Sequence, residues 1–219
     1  MAPQNSYHIA KLLSSRLCHD LVTPIGAINT GLELFQENMA NLSKDSREIM
    51  DLIRHSAEAA AARLSFFRMA FGTSGDQVSF GEARALIETY FARSKISLHW
   101  ETPFLEDLML KKWGRLLLNA TLWLSECAPK GGEIHFIIPD ETSLFLSPHL
   151  VTNSIVLHQG TLEALEGKAL LTELTPRTVP CYLIHSLVEE LKGKLEIRQS
   201  GLPTELLLEI KGKEEAHSY

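Results

Sequence analysis

The sequence predicts an α+β protein in which an α/β sandwich follows an N-terminal helical hairpin. Two long stretches, 6–41 and 46–71, carry apolar residues every three or four positions, as amphipathic helices do. Residues 72–76 (GTSGD) then break this pattern with turn formers. Beyond them, segments of helical periodicity alternate with strand-like segments, which is typical of helices packed beside a mainly antiparallel sheet. We therefore place one domain at 1–73 and a second at 76–213.

Composition limits the class of protein. The 219 residues are 45% hydrophobic and 22% charged, as in soluble globular proteins. No apolar run approaches the roughly 18 residues that span a bilayer, and the N-terminus lacks a secretory signal, so we expect no membrane partner. A net charge of −6 without a dense basic patch argues against direct binding of nucleic acid. Three widely spaced cysteines indicate reduced thiols and a cytoplasmic location.

The two long helices predict an oligomer. Their short polar connection makes an antiparallel hairpin, and two helices alone cannot bury both apolar stripes. We expect a homodimer in which two hairpins form a four-helix bundle. The alternative is that the second domain folds back over the stripe. The first stripe comprises Leu13, Leu17, Leu21, Ile25, Ile28, Leu32 and Phe35, and the second comprises Ile49, Ile53, Ser56, Ala60, Leu64, Phe67 and Phe71.

His19 is the candidate functional residue of the first helix. At about 100° per residue it points nearly opposite the stripe, so its imidazole is expected to face solvent. Asp20 follows it directly, and Pro24 removes a backbone donor five residues later, which predicts a bend. The face of His19 also carries Arg16, Val22, Thr23, Gly26 and Thr30, mostly polar or small residues.

The order His19-Asp20-Leu21-Val22-Thr23-Pro24 resembles the H-box of sensor histidine kinases, and the run to Ile28 is closer still to the ChpT-type histidine phosphotransferases of alphaproteobacteria. The resemblance implies that His19 accepts a phosphoryl group. It also implies that Asp20 binds the other ring nitrogen and fixes the tautomer. Thr23 occupies the position linked to dephosphorylation in kinases; here its alternative role is only to shape the face.

The second domain is predicted element by element. We expect helices at 80–91, 108–127 and 182–192, with Gly193 ending the last. Strands are expected at 96–100, 134–138, 143–146, 195–198 and 206–210, and a solvated tail at 211–219. The stretch 150–174 is difficult to assign apart from a short helix near Leu162.

This order is similar to the ATP-binding domain of histidine kinases, but the nucleotide motifs are degenerate. Asn119 matches the first asparagine of the N-box, whereas Trp123 stands where the second would bind Mg²⁺, and an indole offers no acceptor. The chain has no Asp-x-Gly-x-Gly, and residues 176–180 (PRTVP) replace the glycine-rich phosphate loop. We therefore expect no bound ATP and no cofactor.

Together these features predict a histidine phosphotransferase of a multistep two-component phosphorelay. His19 would take the phosphoryl group from the receiver domain of a hybrid kinase and pass it to the aspartate of a response regulator. The receiver would supply the Mg²⁺ and dock on an apolar strip comprising Val22, Gly26, Arg63 and Phe66.

Two other functions remain open. An autophosphorylating kinase would require ATP. A non-catalytic scaffold would bind response regulators without phosphate chemistry. A metalloenzyme is disfavoured, because the nine histidines show no ligand-like spacing. If His19 were not the carrier, His55 and His185 would be the first to test.

Overall fold

The hairpin consists of helices α1 (Pro3–Glu37) and α2 (Lys44–Phe71). At about 1.5 Å per residue, they are roughly 52 and 42 Å long. Helix α1 continues through Pro24 without interruption. The computed structural model describes residues 3–37, 44–72, 78–101, 113–137, 145–200 and 204–211.

The two helices approach each other closely at Gly31. This glycine is buried, and a Cβ atom placed on it would lie 2.5 Å from Cγ1 of Ile53 on α2. A side chain as small as alanine would therefore push the helices apart or displace Ile53. The absence of a side chain at position 31 sets the spacing of the hairpin.

A five-stranded mixed sheet and four helices follow the hairpin. The sheet has the order β1-β2-β3-β5-β4, with β1 and β2 parallel and every other pair antiparallel. The helices are α3 (Phe80–Phe91), α4 (Gly114–Cys127), α5 (Thr161–Leu165) and α6 (Val179–Glu190), with a 3₁₀ turn at Leu171–Glu173. The strands are β1 (Ile96–Glu101), β2 (Gly132–Ile137), β3 (Phe145–Thr152), β4 (Lys194–Ser200) and β5 (Thr204–Lys211).

One face of the sheet packs against the helices. Along β2 and β5 its buried side chains alternate with more exposed ones, as in a sheet that faces water on one side. Helix α4 is the centre of the core, because nearly all of its side chains are buried. The sheet contributes Ile134, Phe136, Leu150, Leu206, Leu208 and Ile210.

The hydrophobic core runs without a break from the sandwich into the base of the hairpin. Ile9 and Leu12 of α1 belong to it, as do Phe66, Phe67 and Ala70 of α2. The sandwich thus covers the near end of the hairpin, including part of the first predicted stripe at Leu13 and Leu17. The part of the hairpin beyond the sandwich keeps large exposed apolar residues, namely Ile25, Leu32, Leu34, Met50 and Leu52.

The predicted α+β class and element order are confirmed, and the prediction of α3 is correct at both ends. The difficult stretch contains the end of β3, which runs to Thr152, and α5, close to the expected Leu162. The beginning predicted for the long helix, the predicted domain boundary between residues 73 and 76, and most of the predicted tail lie outside the described residues. Among the described residues, no helix combines the length and apolar character that crossing a bilayer requires.

Candidate functional site: an exposed histidine tied to the sandwich

His19 lies on the outer surface of α1, and 83% of its side chain is exposed. Nδ1 of its ring is 2.9 Å from Oδ1 of Asp20, within hydrogen-bond distance. When Nδ1 carries the proton and donates it to this carboxylate, the lone pair of Nε2 points away from the helix into solvent. In this arrangement Asp20 sets the tautomer of the His19 ring, and Nε2 is the nitrogen available as a nucleophile.

Asp20 is held in turn by Arg16, one turn earlier on α1. Arg16 Nε donates a hydrogen bond to Oδ2 of Asp20 over 3.0 Å. The same guanidinium contacts the Glu126 carboxylate at the end of α4, and its Nη1 donates to the carbonyl of Pro176 over 3.3 Å. Arg16 therefore joins the carboxylate that orients His19 to two segments of the sandwich.

Helical periodicity predicted that Arg16 shares the solvent-facing side of α1 with His19, and this is wrong. Arg16 is only 7% exposed because the sandwich packs over its side of the helix. A buried guanidinium needs partners for its charge and its donors, and the two carboxylates and one carbonyl supply them. The local sequence gave no sign of this role, because Glu126 is 110 residues away.

A cluster of aromatic side chains packs between α2 and α3 beside this network. Phe66 and Tyr90 have ring centroids 4.4 Å apart. Burial raises the pKa of Tyr90, and the nearby negative charge of Asp20 raises it further, whereas Arg16 and a hydrogen bond from Arg63 oppose the shift. Tyr90 thus stays a neutral phenol near Asp20 at physiological pH.

The predicted docking residues divide into two groups. Val22 is 67% exposed, and Gly26 is exposed with no heavy atom within 4 Å of a Cβ placed on it. Thr23 is also exposed. Phe66, in contrast, is completely buried under Tyr90, so its assignment to an exposed docking strip is wrong. Arg63 is half-buried and bonded to Tyr90.

The positions that resemble a nucleotide site serve packing in this structure. Asn119 is fully buried, and its amide nitrogen donates to the carbonyl of Ala70 over 3.0 Å and to that of Arg115 over 2.9 Å. Trp123 is 2% exposed and lies in the core. The Asn119 side chain therefore connects α4 to the end of the hairpin.

The segment before α6 is a closed turn. Thr175 and Thr178 bond reciprocally, each backbone N–H donating to the other's hydroxyl, at 2.9 and 3.2 Å. Pro180 lies at the second position of α6, in the first turn, where a backbone N–H has no partner within the helix. With the carbonyl of Pro176 already bonded to Arg16, this segment is shaped to hold α1.

Comparisons with known proteins agree with this architecture. The family model described as histidine phosphotransferase C-terminal domain matches residues 80–202, more than half of the chain. The chain belongs to this family.

One relative is the protein phosphotransferase ChpT of Brucella abortus (strain 2308). It is 40% identical over 129 residues, a region that is 58% of this chain and spans only 58% of the relative's length. A 1.7 Å structure of a bacterial phosphotransferase superposes with a TM-score of 0.74 and 30% identity over 93% of this chain and 95% of that one. A histidine kinase of Acinetobacter baumannii, AdeS, is less similar, with a TM-score of 0.44, 13% identity and coverage of 90% of this chain and 98% of that one.

Proposed function

We propose that this protein carries phosphoryl groups between receiver domains of a two-component phosphorelay. His19 accepts the group from the phosphorylated aspartate of a hybrid-kinase receiver and passes it to the aspartate of a response regulator. The observation that carries this proposal is the exposed His19 ring with Asp20 on Nδ1, in a member of the histidine phosphotransferase family.

The transfer is a displacement at phosphorus. Nε2 attacks in line with the phosphorus–oxygen bond of the aspartyl phosphate; the new N–P bond forms, and the receiver's carboxylate leaves with the bonding pair. The proton on Nδ1 stays hydrogen-bonded to Asp20, whose charge stabilises the positive charge that develops on the ring. The receiver would supply a Mg²⁺ ion to neutralise charge on the phosphoryl oxygens, and the second transfer reverses the same bond changes.

ATP is not expected to be the donor. Phosphate loops bind through free backbone N–H groups, and two prolines stand in residues 176–180. The position of the expected metal ligand is the buried indole of Trp123. These observations favour phosphotransfer from a protein over autophosphorylation.

Docking of the receiver is assigned to the exposed part of α1 beyond His19. Val22 and Gly26 lie one and two turns further along this helix, and both are exposed. Val22 offers an apolar side chain for contact with an incoming helix. Gly26 has no side chain, so the backbone of that helix can approach α1 closely there. Thr23 belongs to the same surface, and its proposed role is to shape it.

The hairpin is proposed to dimerise through its far end. The large apolar side chains there are 39–49% exposed, and two of them, Ile25 and Leu32, belong to the first predicted stripe. Pairing two hairpins would bury them in a four-helix bundle. Sedimentation at micromolar concentration should give twice the 24.5 kDa chain mass, and a monomer would contradict the dimer.

The central experiment follows label from a phosphorylated receiver domain to this protein. Wild type should become labelled, and His19→Ala should not, while its circular dichroism stays unchanged. His55→Ala, which removes an imidazole from α2, is the matched control and should keep the label. Labelling of His19→Ala would refute the assignment, and a wild-type protein that binds the receiver without gaining label would indicate a scaffold. Labelled ATP alone should leave the wild type unlabelled.

A further inference from the structure

Four titratable side chains share the exposed face of the sheet at its β1 edge. His99 and Glu101 alternate along β1, and Glu133 and His135 alternate along β2. In the parallel register His99 pairs with His135. Because paired residues of neighbouring strands point to the same face, the two imidazoles come together there and stack, with centroids 4.5 Å apart.

Both imidazoles approach the same carboxylate oxygen. Oε2 of Glu133 is 3.3 Å from Nε2 of His135 and 3.5 Å from Nε2 of His99. The three ligand atoms of the cluster all lie within 4.8 Å of one another. With zinc bonds of about 2.0–2.2 Å, two ligands of a tetrahedral site are roughly 3.3–3.5 Å apart. Glu133 therefore already lies at zinc-ligand spacing from each histidine.

A fourth residue orients one of the rings. Nδ1 of His135 is 2.7 Å from Oε1 of Glu101. A neutral imidazole that donates from Nδ1 to a carboxylate keeps its lone pair on Nε2, the atom that faces Glu133. Histidines that bind zinc usually donate their other ring N–H to a carboxylate or carbonyl in this way.

We propose that His99, Glu133 and His135 bind one Zn²⁺ ion through the two Nε2 atoms and the carboxylate, with Glu101 as the outer support. Water completes the coordination. Nε2 of His135 and the Glu133 carboxylate would repel each other if both presented lone pairs. A Zn²⁺ ion between them would accept both lone pairs and remove this repulsion. Two imidazoles select zinc over Mg²⁺, because Mg²⁺ prefers oxygen ligands in an octahedral arrangement.

The site joins two strands at a free edge. Strand β1 ends the sheet, and its only strand partner in the described sheet is β2. An ion held by side chains of both strands opposes separation of β1, so binding stabilises the folded protein. The proposed site is independent of His19 and of the proposed phosphotransfer.

The test is a calorimetric titration of the full-length protein with ZnCl₂ at pH 7.5, together with thermal unfolding. Wild type should bind one ion and unfold at a higher temperature when zinc is present. His99→Ala and His135→Ala should each weaken binding at least tenfold, and Glu101→Gln about 10-fold to 100-fold through the outer support. His55→Ala should bind as wild type does, and MgCl₂ should not compete.

Two results would overturn the proposal. One is a wild type that does not bind zinc at 100 μM in about fivefold excess over protein. The other is binding that survives both His99→Ala and His135→Ala, which would place the ion elsewhere. His99 is 44% exposed on the edge strand, so its variant is expected to fold even if His135→Ala does not.

Discussion

Replacing Arg16 by alanine tests whether the sandwich orients the proposed phosphoacceptor. Arg16 bonds Asp20, and Asp20 bonds the ring of His19, so Arg16 acts on the ring through Asp20. The substitution removes three polar contacts at once and leaves the sequence around His19 intact. Both stability and transfer should therefore change, for separable reasons.

The stability loss follows from the two carboxylates left behind. Breaking a fully buried ion pair costs about 3–5 kcal/mol, because the remaining charge has no partner. Asp20 and Glu126 keep 17% and 22% of their side chains exposed and can be rehydrated. We therefore expect a lower value, about 2–3 kcal/mol of unfolding free energy.

The loss in transfer rate follows from the freedom that Asp20 gains. Without Arg16, its χ1 can occupy three staggered wells, of which one places Oδ1 on the ring, and the carboxylate can also rotate. The productive fraction should fall about threefold from χ1 alone and somewhat further with the rotation of the carboxylate, and the rate of label transfer from a saturating phosphorylated receiver should fall with it. Asp20→Ala removes the acceptor itself and should cost about 100-fold or more.

The assay combines urea unfolding with the initial rate of label transfer at 25 °C. Arg54→Ala is the matched control, because Arg54 is a 56% exposed arginine of the hairpin that bonds Asp51 and Glu58. Exposed pairs contribute at most about 1 kcal/mol, so this variant should unfold and transfer nearly as wild type does. If Arg16→Ala transferred at the wild-type rate while remaining folded, the link from sandwich to His19 would be refuted.

Three further outcomes follow from single positions. Gly26→Trp should slow transfer from the receiver while the unfolding free energy stays equal or rises by about 1 kcal/mol, because the helix loses a glycine and the space is open; Gly26→Ala is its control. Gly31→Ala should cost about 1–3 kcal/mol in urea unfolding, since its Cβ meets Ile53 at 2.5 Å. A thiol reagent at pH 8 should modify the exposed Cys18 quickly and Cys127 only after unfolding, because burial raises the pKa of Cys127 to about 12.

Local pattern was sufficient for most of the fold. Helix α3 begins at a capping box, in which Ser79 and Glu82 exchange hydrogen bonds, and such a signal lies within four residues of sequence. Strand β1 is likewise visible in the alternation of Ile96, Leu98 and Trp100 with polar residues. Elements of this kind are predictable because neighbouring residues decide them.

Contacts between distant segments were not predictable in the same way. Helical periodicity placed Arg16 on the polar side of α1, which was correct for the isolated helix. Periodicity does not reveal that the end of α4 supplies a carboxylate to that side. Phe66 was misassigned for the same reason, because Tyr90 on another helix covers it.

The proposed zinc ligands His99 and His135 were likewise not predictable from local sequence. His99 and His135 are 36 positions apart, so a search for closely spaced metal ligands passes over them. The useful signal was the alternation His-x-Glu on β1 and Glu-x-His on β2, which places each pair on one face. Only the register of the two strands brings the pairs together.

The position of Arg16 also suggests why a sandwich without nucleotide motifs would stay attached to the hairpin. An isolated helix would leave Asp20 free to choose among rotamers and Arg16 free in solvent. The closed turn at 175–178 and the end of α4 instead hold the guanidinium from two directions, and the guanidinium holds Asp20. Two of these three contacts, to Pro176 and Glu126, belong to the folded sandwich, so unfolding of that part of the chain would leave Arg16 and Asp20 with only their mutual bond on α1. Residues 176–180, which stand in place of a phosphate loop, thus support the histidine that we propose as the phosphoacceptor.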